Sequence, residues 1–232
     1  MIRSEDFRIL RVQAAAFFSG EGVRPAMMLR HIPEDWFSVY DADPVSLPVP
    51  LDAPEGVPGL ILQSRDQRQS VRIARTRIDL VRSCENEAVV DLAGALETLS
   101  RRLAAFSESS GTVYGRLAAV VSRIAEEQEP GRSLVQQFCR DEWLCGPLNR
   151  PEGFELHAHK VFSLVRGVPV NSWMRIKTAR TGLGPYDHVL VEQDINTLME
   201  ELETRKFDET QIASWFRETS SQLDFVLRLY FP

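Results

Sequence analysis

A chain of 232 residues with 44% apolar and 26% charged side chains lies in the ordinary globular range, long enough for one large core or two small ones, which excludes disorder as a global description. Its formal charge of -6 argues against a broad phosphate-binding surface and leaves room only for a local basic groove. The charged N-terminus Met1-Ile-Arg-Ser-Glu-Asp6 lacks the apolar stretch of a secretory signal, and no run reaches the roughly 18 apolar residues of a spanning helix. The three cysteines, Cys84, Cys139 and Cys145, then read as reduced thiols, and the expectation is a cytoplasmic protein without a membrane partner.

Residues 7–18 alternate and are rich in β-formers, which predicts an opening strand before Ser19-Gly-Glu-Gly22. The prolines from Pro25 to Pro58 cannot donate ladder hydrogen bonds and push their predecessors out of helix, so residues 23–59 read as an extended surface connection, pinned by Trp36 and Phe37. Gly59 to Ser64 reads as a strand, Arg65 to Arg68 as a turn, and 69–82 as the antiparallel partner. Within that partner Val71 and Ile73 share one face, whereas Ile78 and Leu80 share the other. A bulge near Ala74 to Thr76 is the simplest repair of this change of parity.

Leu92, Leu96, Leu99, Leu103 and Phe106 recur at spacings of three and four, which predicts an amphipathic helix over 87–107, ended by Ser107-Glu-Ser-Ser-Gly111 with Gly111 suited to a positive φ. An extended segment over 112–125, for which the alanines make helix the rival, a short helix over 132–144, strands at 154–165 and 170–178 and a last strand from His188 to Asp194 come next. A second long helix spans 208–228, with Asp208 at its N-cap and Ile212, Trp215, Phe216, Leu223, Val226 and Leu227 along one stripe. Both halves run from strands through a charged turn to a closing helix. The expected fold is therefore α+β: two tandem antiparallel-sheet-plus-helix modules, residues 1–110 and 111–232, packed into one compact unit.

From Leu60-Ile-Leu-Gln-Ser-Arg-Asp66, Tyr114-Gly-Arg-Leu-Ala-Ala119 and Val189-Leu-Val-Glu-Gln-Asp-Ile195, residues 60–232 resemble a sporadically distributed family of uncharacterised bacterial proteins with duplicated, strand-rich and helix-capped halves. The chain departs from that family at Ser83-Cys-Glu-Asn-Glu87, where an aromatic pair before the first helix is missing, and in its second strand, which lacks a tyrosine-asparagine ending. The resemblance implies the fold. Members share no agreed activity, and their patchy occurrence implies mobile or defence-linked genes.

Four constellations carry chemistry. Cys139, Cys145, His157 and His159 supply zinc-type ligands, but six residues at about 100° each place the two cysteines on nearly opposite faces of a helix, and buried thiols with a solvent-facing histidine pair are the plainer reading. Glu192 and Asp194 share a strand face and suit a carboxylate pair or a wet sheet face. Thr181-Gly-Leu-Gly-Pro185 lacks the lysine and the spacing of a phosphate loop and reads as a turn. Residues 65–82 hold six arginines against two aspartates, while 186–232 hold ten acidic and four basic residues. Arg65, Arg68, Arg72, Arg75 and Arg77 therefore form a candidate patch for an acidic partner, since arginine is favoured at interfaces.

The reading is a non-enzymatic protein-binding or regulatory module without a cofactor, an accessory or neutralising component of a bacterial defence or toxin-antitoxin system. Nucleic-acid binding through the same 65–82 hairpin is the second reading, weakened by the lack of an aromatic residue in it. A metal-dependent hydrolase using His157, His159 and Glu192 or Asp194 is the third.

Overall fold

The alternating segments pair in an arrangement that sequence periodicity does not specify. The computed structural model describes residues 1–50, 52–85, 87–164, 167–180, 182 and 184–232. Its strands are β1 (Arg8–Phe18), β2 (Val45–Ser46), β3 (Leu60–Gln63), β4 (Gln69–Ile73), β5 (Arg77–Ser83), β6 (Tyr114–Glu126), β7 (Glu155–Ser163), β8 (Pro169–Ala179) and β9 (His188–Thr197); the helices are α1 (Leu92–Ser110), α2 (Pro130–Phe138), α3 (Asp141–Leu144) and α4 (Glu209–Tyr230). The two expected modules are replaced by a single antiparallel sheet of nine strands in the order β2-β3-β4-β5-β1-β6-β9-β8-β7, open at both edges. The finding that overturns the modular reading is the pairing of β1 with β6 from Arg8 opposite Ile124 to Phe18 opposite Tyr114. Strands from the two halves are neighbours at the centre of one sheet. One core likewise spans both halves, joining Leu96, Leu103 and Phe106 of α1 to Phe216 and Leu223 of α4.

Helices α1, α2 and α4 pack on one face of this sheet. Val12, Ala14 and Ala16 of β1 and Leu117, Ala119 and Val121 of β6 point into that layer, and their small or branched side chains let α1 and α4 approach the central strands. A second apolar cluster under α2 and the end of α4 gathers Leu134, Ile176, Val191, Leu227 and Phe231. The helix boundaries are set by their caps. The Asp91 side chain accepts a hydrogen bond from Gly94 N at 3.1 Å, so α1 starts at Leu92 and not at 87; it ends at Gly111 in the left-handed region, φ 69°. Asp208 caps α4 as expected, with Gln211 completing a reciprocal capping box. The single helix expected over 132–144 is two, interrupted at Cys139 and Arg140.

Two further expectations change. Ser70 to Val81 is not one bulged strand but two strands, β4 and β5, joined by a tight turn in which Ala74 N donates to Arg77 O at 2.9 Å. Antiparallel pairing puts Ile73 opposite Ile78 and Val71 opposite Leu80, so odd positions of β4 and even positions of β5 share the buried face. The change of parity marks a reversal of the chain. The proline-rich segment is also less extended than expected, because it coils into 3₁₀ turns at Pro25–His31 and Glu34–Ser38. Trp36 is buried against Tyr40 and Phe106, whereas Phe37 stays exposed. Among the described residues no helix is long and apolar enough to cross a membrane.

Candidate functional site: the uncovered face of the sheet

Strand alternation that sends one set of side chains to the helices sends the other to the opposite face, which no helix among the described residues covers. Register then fixes neighbours across that face. Gln13 and Ala15 of β1 lie opposite Val81 and Asp79 of β5, and Asp79 lies opposite Arg72 of β4. On the other side of β1, Phe17 faces Arg116 of β6, and Ala118 and Val120 face Asn196 and Asp194 of β9. Asn196 and Asp194 in turn face Asn171 and Trp173 of β8, with His159 of β7 beyond Trp173.

At the β1, β4 and β5 end this face holds a pocket of about 380 Å³ whose lining includes Arg11, Gln13, Arg68, Arg72, Arg77, Asp79 and Glu85, with Gly56 and Pro58 of the proline-rich segment at its rim. Gly56 lies against Arg77, since a Cβ there would stand 3.9 Å from the guanidinium carbon. Asp79, only 5% exposed, uses both oxygens internally: Oδ1 accepts from Gln13 Nε2 at 3.0 Å and Oδ2 pairs with Arg77 Nε at 2.9 Å. Burial raises the pKa of its carboxyl, with Arg77, Gln13 and Arg72 opposing. Arg77 and Asp79 thus neutralise each other. Arg11 reaches Glu192 only at 3.9 Å, Arg68 reaches Asp66 at 3.7 Å on the exposed turn, and Arg72 is exposed without an ion pair among the described residues. Three guanidiniums therefore keep donors for an outside acceptor.

A belt of polar contacts runs from this pocket to β7. Arg77 and Arg116 both lie over the Phe17 ring, at 5.9 and 4.4 Å from its centre. Arg116 donates to Thr197 O at 2.9 Å and to Asn196 Oδ1 at 2.8 Å. Asn196 donates to Asp194 Oδ1 at 2.9 Å and accepts from Asn171 Nδ2 at 3.3 Å, and Asn171 meets His159 Nε2 at 3.0 Å. His159 stacks on Trp173 with ring centres 4.1 Å apart. Desolvation lowers the Arg116 pKa against the opposing charge of Asp194, and raises that of Asp194 against its bond from Asn196 and the charge of Arg116. Within the belt Arg116, Asn196, Asn171 and His159 are each tied to a neighbouring side chain, which pre-orders the surface beside the pocket.

The five arginines singled out from the sequence are separated by this geometry. Arg68, Arg72 and Arg77 line the pocket. Arg65 lies on the β3–β4 turn and holds Asp41, its backbone N donating to the carboxylate at 2.8 Å. Arg75, at the β4–β5 turn, donates to Ala53 O at 2.7 Å and ties that turn to the proline-rich segment. The cysteine and histidine candidates do not form a cluster. His157 bonds Glu155 at 2.7 Å and His159 bonds Asn171, both on the edge strand β7, while Cys139 ends α2 and Cys145 ends α3. Among the described residues no group of three or more His, Cys, Asp or Glu side chains is placed to hold a metal ion. Glu192 and Asp194 do share the uncovered face, but Glu192 pairs with Arg175 at 2.8 Å and Asp194 is engaged by Asn196. The turn expected over 181–185 falls partly on Thr181 and Leu183, which lie outside the described residues.

Arg11, Gln13, Arg116 and Asn196 are not evident from the sequence alone. Their signal is present as polar side chains at mid-strand positions between apolar neighbours, but their convergence depends on pairings between strands far apart in the chain.

No protein-family model matches the chain, and no curated protein is significantly similar to it in sequence. The likeness of residues 60–232 to a bacterial family rests on the residue patterns alone.

Proposed function

We propose that the protein is a non-enzymatic binding module that docks an acidic surface of a partner protein on the uncovered face of its sheet, at the pocket of Arg11, Arg68, Arg72 and Arg77. The observation that carries this reading is the charge balance of the pocket. Four arginines and two carboxylates, Asp79 and Glu85, line it in a chain whose sum is -6, and Arg11 and Arg68 meet their outer partners Glu192 and Asp66 only at 3.9 and 3.7 Å. A local basic site in an acidic protein selects acidic partners and steers their approach, an effect screened beyond about 10 Å at ordinary salt. The polar belt supports it, because side chains already held in place lose less entropy on docking.

The test is paired charge reversal, Arg11→Glu with Arg72→Glu, in protein used as bait in the native host, with mass spectrometry of the proteins that co-purify. Both residues are exposed and outside the core, so the variant keeps its circular dichroism. The acidic protein retained by the wild type is expected to be lost; its retention by the variant overturns the reading.

A nucleic-acid reading draws support from Phe17 and Trp173, which bring to the same face the aromatic groups that residues 65–82 lack. These rings are already occupied, Phe17 by Arg116 and Arg77 and Trp173 by His159. Steep loss of oligonucleotide binding with rising salt is the signature that would favour it over protein docking.

A further inference from the structure

We infer that the partner presents a phosphorylated side chain, and that the pocket between β1, β4 and β5 is the seat of its phosphate group; this rests on the docking reading and names the chemistry of the docked group. With Arg77 and Asp79 paired at 2.9 Å, Arg72 has no ion pair among the described residues, and Arg11 and Arg68 hold Glu192 and Asp66 only at 3.9 and 3.7 Å, so all three keep N–H donors for an occupant of the pocket. A phosphate monoester carries about 1.5 to 2 negative charges at neutral pH on three acceptor oxygens, enough to engage three guanidiniums with one group. A single partner carboxylate carries one charge on two oxygens and offers the three guanidiniums fewer acceptors and less charge.

The placement of the arginines agrees with this. They come from three places in the fold, the N-terminal half of β1, the β3–β4 turn and the second half of β4, and all three line the one pocket. A tetrahedral anion presents acceptor oxygens in several directions at once, which suits donors supplied by separate elements. Ser70, opposite Val81, and Gln13 add neutral donors beside them. The volume of about 380 Å³ exceeds a bare phosphate and leaves room for the side chain that carries it.

The experiment is calorimetric titration of the full chain with O-phosphoserine, inorganic phosphate, adenosine monophosphate and hexaglutamate, at one salt concentration. O-phosphoserine is expected to bind saturably and hexaglutamate more weakly. Arg72→Met, which keeps the length and removes the charge, is expected to weaken O-phosphoserine by roughly 10- to 100-fold, whereas Arg132→Met on the distant helix α2 leaves it unchanged. Absence of saturable phosphate binding, equal binding by Arg72→Met, or hexaglutamate binding as tightly as O-phosphoserine overturns the inference. Adenosine monophosphate binding more than about tenfold tighter also overturns it, in favour of a free nucleotide. The two proposals fail separately: if Arg11→Glu with Arg72→Glu loses the protein partner while the phosphate probes are silent, docking stands and the phosphate assignment falls. If the partner is retained, docking falls whatever the probes do.

Discussion

Arg123 is an arginine in the helix layer, 2% exposed, and its removal should cost less than the removal of its partner. It projects from β6 beneath α4, donates to Gln193 Oε1, and pairs with Asp224 of α4 at 2.7 Å. Burial lowers the Arg123 pKa and Asp224 opposes the shift. Breaking a fully buried pair from one side costs about 3–5 kcal/mol, because a charge is left without compensation. The Asp224 side chain is 52% exposed, so water reaches the site; with that screening Asp224→Ala should cost about 1–3 kcal/mol. Arg123→Met fills similar space with apolar atoms and removes the desolvated charge, so it should change stability by no more than about 1 kcal/mol. The double variant should resemble Arg123→Met. Equilibrium urea unfolding monitored by tryptophan fluorescence reads all three, provided the slope with denaturant is constant. Arg123→Met losing more stability than Asp224→Ala, or a double variant equal to the sum of the two single losses, would refute the reasoning.

Asp79 and Asp194 both carry carboxyls whose pKa is raised by burial from the ordinary 3.8. The native state then binds protons more tightly than the unfolded chain between that value and the folded one, so these groups make stability fall as pH rises through the window. Asp79→Asn should flatten the dependence of the urea midpoint measured from about pH 4 to about pH 7, and an unchanged slope would remove the burial argument. Gly115→Ala should destabilise by about 1–3 kcal/mol or more, because its Cβ would meet the backbone carbonyl of Leu202 far inside contact distance; a melting temperature equal to wild type would show that this approach is not tight. Asp208→Ala removes the side-chain acceptor of Gln211 N at 2.8 Å and should cost about 1 kcal/mol, read from the same unfolding curves, while Asp208→Asn should recover most of it.

Local periodicity makes the helices and most strands legible. The leucines of α1 and the stripe from Ile212 to Leu227 in α4 recur with the helical repeat, and Asp208 and Gly111 occupy the ends where capping chemistry puts them. The break at Cys139 and the turn at Arg75-Thr76 are hidden for a shared reason: neither holds a proline or glycine, so only the geometry of the flanking elements reveals them. At the site, Arg68, Arg72 and Arg77 stand out by density of charge, whereas Arg11 and Gln13 sit in an opening strand with nothing local to distinguish them from other solvent-facing positions.

Most helices and strands, and the apolar side of each, follow from neighbours a few residues apart; the break at Cys139, the β4–β5 reversal and the 3₁₀ turns of the proline-rich segment do not. Long-range pairing is what joins both halves into one sheet through β1 and β6, sets Arg65 and Arg75 on other partners, and brings Arg11 and Asp79 into the lining of one pocket. Backbone pairing is nearly indifferent to the identity of the strands it joins, so partner and register depend on how the whole core closes. The uncovered face, and the pocket on it, exist only once that closure is made.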